Sequence, residues 1–303
     1  TGTIAMHAVA VLALSSAAPA SSVQRMATLL VDNGSRRAAS TLALRQTARS
    51  LSLLLGTDVE PVSLRWSDGV PAEKLGGDPA RTLGPALRAL AARGIDSVAI
   101  VPLFLGPSDG LRTALEAARQ DPGAPPHLAL GSCLVDEATP DDVRVGRAIA
   151  AGILRTARVQ KLARPYRVVL VDHGTTSPLV NAVRGRLTRT VRSLLGSRAL
   201  AVEEASMERR DGSEYDFNDP LLERLVGVRP PFDTGDVIVA MAFLQPGRHA
   251  GEGGDVAQIL DEARQGCPGL RTHVTPLLGA NSLIHQVLRD RAAAAQLELP
   301  NRA

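Results

Sequence analysis

Short apolar runs and longer amphipathic stretches alternate along the chain, and the period of the apolar positions switches between them. Continuous apolar runs bounded by turn residues predict buried strands over 27–32, 59–64, 97–105 and 127–130. Between them, residues such as Leu42, Leu51, Leu54 and Leu55 suit a helix better than a strand. Helices are expected over 38–55, closed by Gly56, and over 79–92, ending at Gly94. Two more are expected over 112–119 and 140–156, the last with Pro140 near its start.

A basic segment closed by proline, 160–165, reads as a linker, after which the same order returns. Strands fall at 167–172, 201–207, 236–244 and 270–275, with helices from about 179, 220, 252 and 282. Strand and helix alternating in this way imply parallel sheets joined by right-handed crossovers. The expected architecture is α/β: two tandem lobes over 26–158 and 166–296, each a four-stranded, mainly parallel sheet with helices on both faces, and a cleft between lobes. Residues 1–25 read as a leader or targeting remnant, because the apolar run 4–14 is followed by small residues without a basic start. The protein is expected in the cytoplasm, or in an organelle or outside the cell if that segment is a targeting peptide.

The repetition reaches individual residues. The stretch 30–37, LVDNGSRR, aligns with 170–177, LVDHGTTS, at an offset of 140 and without a gap to Gly56 and Gly196. Segment 101–110, VPLFLGPSDG, aligns with 240–249, AMAFLQPGRH, at an offset of 139, and 62–65, VSLR, with 205–208, ASME. The chain is a tandem duplication in which scaffold residues persist and a few polar ones do not.

Composition narrows the chemistry. Hydrophobic residues make up 45% of the 303 and charged residues 21%, as in a globular protein, while one Trp, two Tyr and four Phe leave little for stacking on bases. A net charge of +3 spread over scattered arginines forms no phosphate-tracking stripe, so no nucleic-acid partner is expected. No run is long enough to span a bilayer. Cys133 and Cys267 stand far apart, outside any CxxC spacing, so neither a zinc site nor an iron–sulfur cluster is expected. No Gly-rich phosphate loop suggests a nucleotide.

Ligand sites in open parallel sheets lie at the carboxyl ends of the strands. In the second half those ends carry His173, Glu208 and His249, two imidazoles and a carboxylate that suit Co²⁺, Fe²⁺, Ni²⁺ or Zn²⁺ with coordination positions left open. The first half has Asn33, Arg65 and Gly110 at the corresponding positions. One lobe therefore keeps a site and the other has lost it. Arg248 is a candidate for pairing with substrate carboxylates. Glu252 and Asp255 read as the acidic first turn of a helix or an accessory metal patch. His7, His127, His273 and His285 lack a ligand partner at a metal-binding interval.

The segments 170–175, LVDHGT, and 242–249, AFLQPGRH, resemble the two signature segments of the sirohydrochlorin chelatase family, the ATP-independent class that includes cobaltochelatases and sirohydrochlorin ferrochelatases. Segment 275–281, TPLLGAN, is similar to that family's late Pro-Leu-Gly segment. The resemblance implies a two-lobe chelatase that inserts a divalent metal, Co²⁺ or Fe²⁺ with Ni²⁺ as a further option, into a sirohydrochlorin-type tetrapyrrole. It implies His173 and His249 as metal-binding and proton-accepting histidines, Glu208 as the assisting carboxylate, and a monomer or homodimer with no membrane partner. Two departures stand out. Residues 208–219, with Tyr215 and Phe217, replace a simple connection and could act as a lid, and Gln245-Pro246 precedes Gly247 where a smaller residue is common. The competing readings are a metal or tetrapyrrole carrier without turnover and, more remotely, an α/β hydrolase or transferase, for which no G-x-S-x-G elbow is present.

Overall fold

The computed structural model describes residues 26–251 and 253–300. The expected leader, His7 and Glu252 lie outside the described residues. The first lobe runs β1 (Met26–Asp32), α1 (Ala38–Leu55), β2 (Val59–Ser63), α2 (Leu83–Ala92), β3 (Ser97–Pro102), α3 (Asp109–Gln120), β4 (His127–Leu130) and α4 (Arg144–Val159). The second runs β5 (Tyr166–Asp172), α5 (Pro178–Leu195), β6 (Ala199–Ser206), β7 (Gly235–Met241), α6 (Asp255–Gly266), β8 (Leu270–Val274) and α7 (Ser282–Leu297).

Both sheets are parallel throughout and share one topology, β2-β1-β3-β4 and β6-β5-β7-β8. Alternate side chains of each strand enter different cores because successive residues face opposite sides of a sheet. Val168 and Leu170 point inward between the lobes, whereas Val169 and Val171 point outward under α6. All four are fully buried, and each contributes about 1.5–3 kcal/mol by leaving water.

The lobes share their largest core. It draws on α1, α4, α5 and α7, which form a helical layer between the two sheets. The helices that close each half are exchanged. Helix α4 packs on β7 of the second sheet, and α7 packs on β3 of the first, where Ala295 and Leu299 join Ala99 and Ala129. Gln296 Nε2 also donates to Thr28 Oγ1 at 3.0 Å. The outer faces are covered by α2 and α3 in the first lobe and by α6 in the second.

One expected helix does not form. In place of a helix from 220, short 3₁₀ segments at Ser213–Asn218 and Leu222–Arg224 join β6 to β7. Gly227 at φ +79° and the pair Pro230-Pro231 stop a helix after barely two turns. Leu221, Leu222, Leu225, Val226 and Phe232 are nevertheless buried, so the apolar pattern was a packing signal without helical length behind it. Strand β3 also ends at Pro102 rather than 105, and α6 begins at Asp255 rather than 252. No helix among the described residues is long and apolar enough to cross a membrane.

Candidate metal-binding and catalytic site

In the order β6-β5-β7-β8, the chain leaves β5 toward one side and reaches β7 on the other, so a crevice opens above the carboxyl ends of β5 and β7. His173 is the first residue beyond β5. Gly174 turns the chain at φ +87°, and a Cβ there would stand 2.0 Å from the Glu208 carbonyl oxygen. Only glycine admits so close an approach. The approach is sealed by the Glu208 amide, which donates to the His173 carbonyl at 3.0 Å. Two loops remote in sequence thereby hold His173 and Glu208 side by side.

A buried cation fixes the start of this turn. Arg184 of α5, 1% exposed, donates through Nη1 to Asp172 Oδ1 at 2.9 Å and through Nη2 to the Phe217 carbonyl at 3.0 Å. Asp172 Oδ1 also accepts from the Gly174 amide at 3.0 Å. From the other side, buried Asn218 accepts from the Thr175 amide at 2.9 Å and donates to the Thr175 carbonyl at 2.8 Å. Arg209 pairs with Asp216 and Asp219 at 2.9 and 2.6 Å. The 208–219 segment, which the sequence left open as a lid, is tied down as a brace behind the His173 loop.

His249 arrives from the loop after β7 and is 7% exposed. Its carbonyl accepts from the Val256 amide at 3.1 Å, which seats it against the first turn of α6. The three side chains converge. One ligand atom from each of His173, Glu208 and His249 lies within 4.8 Å of the others, and this is the only such group of three or more among the described residues. The two imidazole rings meet edge to face, with centroids 4.5 Å apart, and His249 Nε2 is 3.6 Å from Glu208 Oε1.

In each imidazole, Nδ1 faces the protein. His173 Nδ1 is 3.2 Å from the Gly174 carbonyl. His249 Nδ1 stands 2.9 Å from Asp255 Oδ2, close enough for attraction but off the line of a hydrogen bond. Partners at Nδ1 favour the tautomer whose Nε2 lone pair is free for a cation. Burial, together with the neighbouring His173, pushes the His249 pKa below its ordinary value, against the pull of Glu208 and Asp255. His249 is therefore neutral at pH 7, the form that binds metal and accepts protons.

Arg248 is 73% exposed, with Nη1 3.6 Å from Glu208 and Nε 3.2 Å from Asp255. The remaining described histidines stay apart from this group. His273 Nε2 meets Asp236 at 2.8 Å, and His285 Nε2 meets the Gly279 carbonyl at 2.8 Å. Arg184, Asn218 and the ring contact of Asp255 escaped the sequence reading. For Arg184 a signal existed, since Leu44 stands at the corresponding position of the first half.

The cleft before these residues has a volume of about 750 Å³ and is walled by both lobes. His173 and Glu208 line one side, and Asn33, Arg65 and Gly110 line the other. The backbone corresponds around Asn33 and Arg65, whereas Gly110 lies within α3 and His249 in the loop before α6. A Cβ on Gly34 would stand 1.9 Å from the Arg65 carbonyl oxygen, mirroring Gly174 and Glu208. The Leu64 amide donates to the Asp32 carbonyl at 2.8 Å, as the Met207 amide donates to that of Asp172 at 3.0 Å.

Residues 167–295 match the family model described as CbiX. No curated protein sequence matches the chain. Among solved structures, SirB from Bacillus subtilis with Fe³⁺ is similar at a TM-score of 0.61 and 14% identity, covering 89% of this chain and 95% of that one. CbiX, described as the terminal enzyme for siroheme biosynthesis in denitrifying bacteria, is similar at 0.59 and 17%, covering 89% and 99%. A multi-domain Deinococcus radiodurans protein with structural similarity to chelatases, DR2241, is similar at 0.55 and 19%, covering 89% of this chain and 55% of that one. Over its C-terminal half the chain is therefore similar to the CbiX family, and the overall fold of the molecule is that of these solved structures.

Proposed function

We propose that the protein inserts a divalent metal, Co²⁺ or Fe²⁺, into a sirohydrochlorin-type tetrapyrrole without ATP. The convergence of His173, Glu208 and His249, the first two of which line the interlobe cleft, carries this reading. Two imidazoles and one carboxylate hold a borderline divalent cation while leaving positions open for incoming pyrrole nitrogens. Metal entry releases two pyrrole protons, and a base whose pKa lies near or below neutrality takes them up without remaining charged beside the cation. The buried, neutral His249 fits that role, with His173 beside it at the cleft surface.

Glu208 offsets the charge of the cation before insertion. Asp255 and the Gly174 carbonyl orient the two rings. Arg248 bridges Glu208 and Asp255 at the rim, and its exposed guanidinium is free to exchange one of them for a substrate carboxylate. Closing a flat ring between two lobes removes water from the cation and sets ring and metal face to face.

The test is the absorbance change of metal-free sirohydrochlorin mixed with Co²⁺ or Fe²⁺ and catalytic amounts of protein, with nucleotide absent. The expected result is many turnovers per molecule, lost in His249→Ala. Stoichiometric binding without turnover would assign the protein to carriage of metal or tetrapyrrole.

A further inference from the structure

The first lobe's own strand-end position has not simply lost a metal site. Where the second lobe presents the carboxylate of Glu208, the first presents the guanidinium of Arg65, so the charge at that point of the cleft is reversed. Arg65 is not free to wander as a surface arginine would be. Its guanidinium lies over the ring of Trp66, 4.4 Å from the centroid, and Nη2 donates to Asn33 Oδ1 at 3.3 Å. Trp66 is the chain's only tryptophan, 46% exposed, and its backbone is held at φ +66°. A bulky residue in that conformation is strained and persists where its surroundings over-determine it.

Gly110 adds room, since a Cβ there would lie 3.9 Å from Arg65 Nη2. Among the described residues no carboxylate pairs with Arg65, nor with Arg36 beside Trp66, nor with Arg210 on the facing wall. A guanidinium stacked on one face, with most of its N–H groups unused, is prepared for a bidentate carboxylate.

We propose that Arg65, held by Trp66 and Asn33, is a carboxylate-binding subsite that anchors the acidic side chains of a polycarboxylated tetrapyrrole whose ring meets His173, Glu208 and His249 across the same cleft. This rests on the chelatase reading for the identity of the ligand. The duplication then has a division of labour, with one strand end binding the cation and its counterpart binding the anionic rim of the substrate.

The experiment compares wild type, Arg65→Gln, Arg65→Lys and the remote control Arg88→Gln, which lies on α2 and pairs with Asp121. Three quantities are read: Co²⁺ insertion into sirohydrochlorin, absorbance-monitored binding of metal-free uroporphyrin, and Co²⁺ binding alone. In Arg65→Gln, KM and the uroporphyrin Kd rise about tenfold or more, as for loss of one charge-assisted contact. Its kcat stays within about twofold and its Co²⁺ affinity is unchanged. Arg65→Lys recovers part of the loss, and Arg88→Gln matches wild type.

Unchanged KM and Kd in Arg65→Gln, or a fall in kcat alone, overturn the subsite while leaving the chelatase reading intact. Arg65-dependent uroporphyrin binding in a wild type that inserts no metal would do the reverse. A wild type that binds no uroporphyrin at all overturns the subsite, and Co²⁺ binding then judges the histidines separately.

Discussion

At the end of the first strand in each lobe the backbone makes the same glycine turn, Gly34 against Arg65 and Gly174 against Glu208, yet the side chains around the two turns form opposite environments. In the second lobe Asp172 meets the buried guanidinium of Arg184. In the first, Leu44 replaces that arginine, and Asp32 is left 5% exposed with no hydrogen-bond partner at Oδ1. Burial pushes its carboxyl up to about 6, against the opposing pull of Ser63 and nearby amides. Gln245, reaching over from the second lobe, is placed to donate to Asp32 Oδ2 at 2.7 Å. The duplication thus preserved the turn, which depends on backbone and glycine. It let the charges diverge, because they depend on single side chains.

Giving the second lobe its neighbour's chemistry should have the largest effect. His249→Ala or His173→Asn is expected to lower turnover by about 10²–10⁴-fold, the range for loss of a positioned base, with thermal stability little changed. Next comes the buried pair. Arg184→Leu, which copies Leu44, strands Asp172 without its cation and should cost about 3–5 kcal/mol in urea unfolding. It should also weaken metal binding, because the Gly174 turn loses its anchor.

The converse change in the first lobe should stabilise. A carboxyl whose folded pKa is near 6 rather than 3.8 binds its proton more tightly in the folded state, so it loses stability as pH rises from 3.8 to 6. Asp32→Asn removes that loss and should raise stability at pH 7 by on the order of 2–3 kcal/mol, with no gain below about pH 4. Urea midpoints at the two pH values check it. Asp255→Asn should have the smallest effect, weakening Co²⁺ binding by about 10–100-fold with little change in stability, as expected for a residue that only orients a ligand.

Much of this was legible in the sequence because it depends on local pattern. Buried strands such as 167–172, with apolar residues on both faces, and the end of α1 at Gly56 follow from periodicity and glycine. The repeat then placed His173, Glu208 and His249 at equivalent strand ends. The exchange of α4 and α7 between sheets was not legible, since an amphipathic helix does not specify which sheet it covers. Nor was the brace formed by Asn218, whose two bonds to Thr175 span 43 residues. The absent helix after β6 shows the limit from the other side, because buried Leu222 and Leu225 carry the same spacing in a compact loop as they would in a helix.

The central claim is that one lobe binds the cation and the other does not. Anomalous diffraction at the cobalt edge from crystals soaked in Co²⁺ tests it most directly. The account predicts one peak about 2.0–2.2 Å from nitrogens of His173 and His249 and an oxygen of Glu208, and none near Asn33, Arg65 and Gly110. A cobalt peak at the first lobe's strand ends, or one at the second lobe that survives intact in His249→Ala, would contradict it.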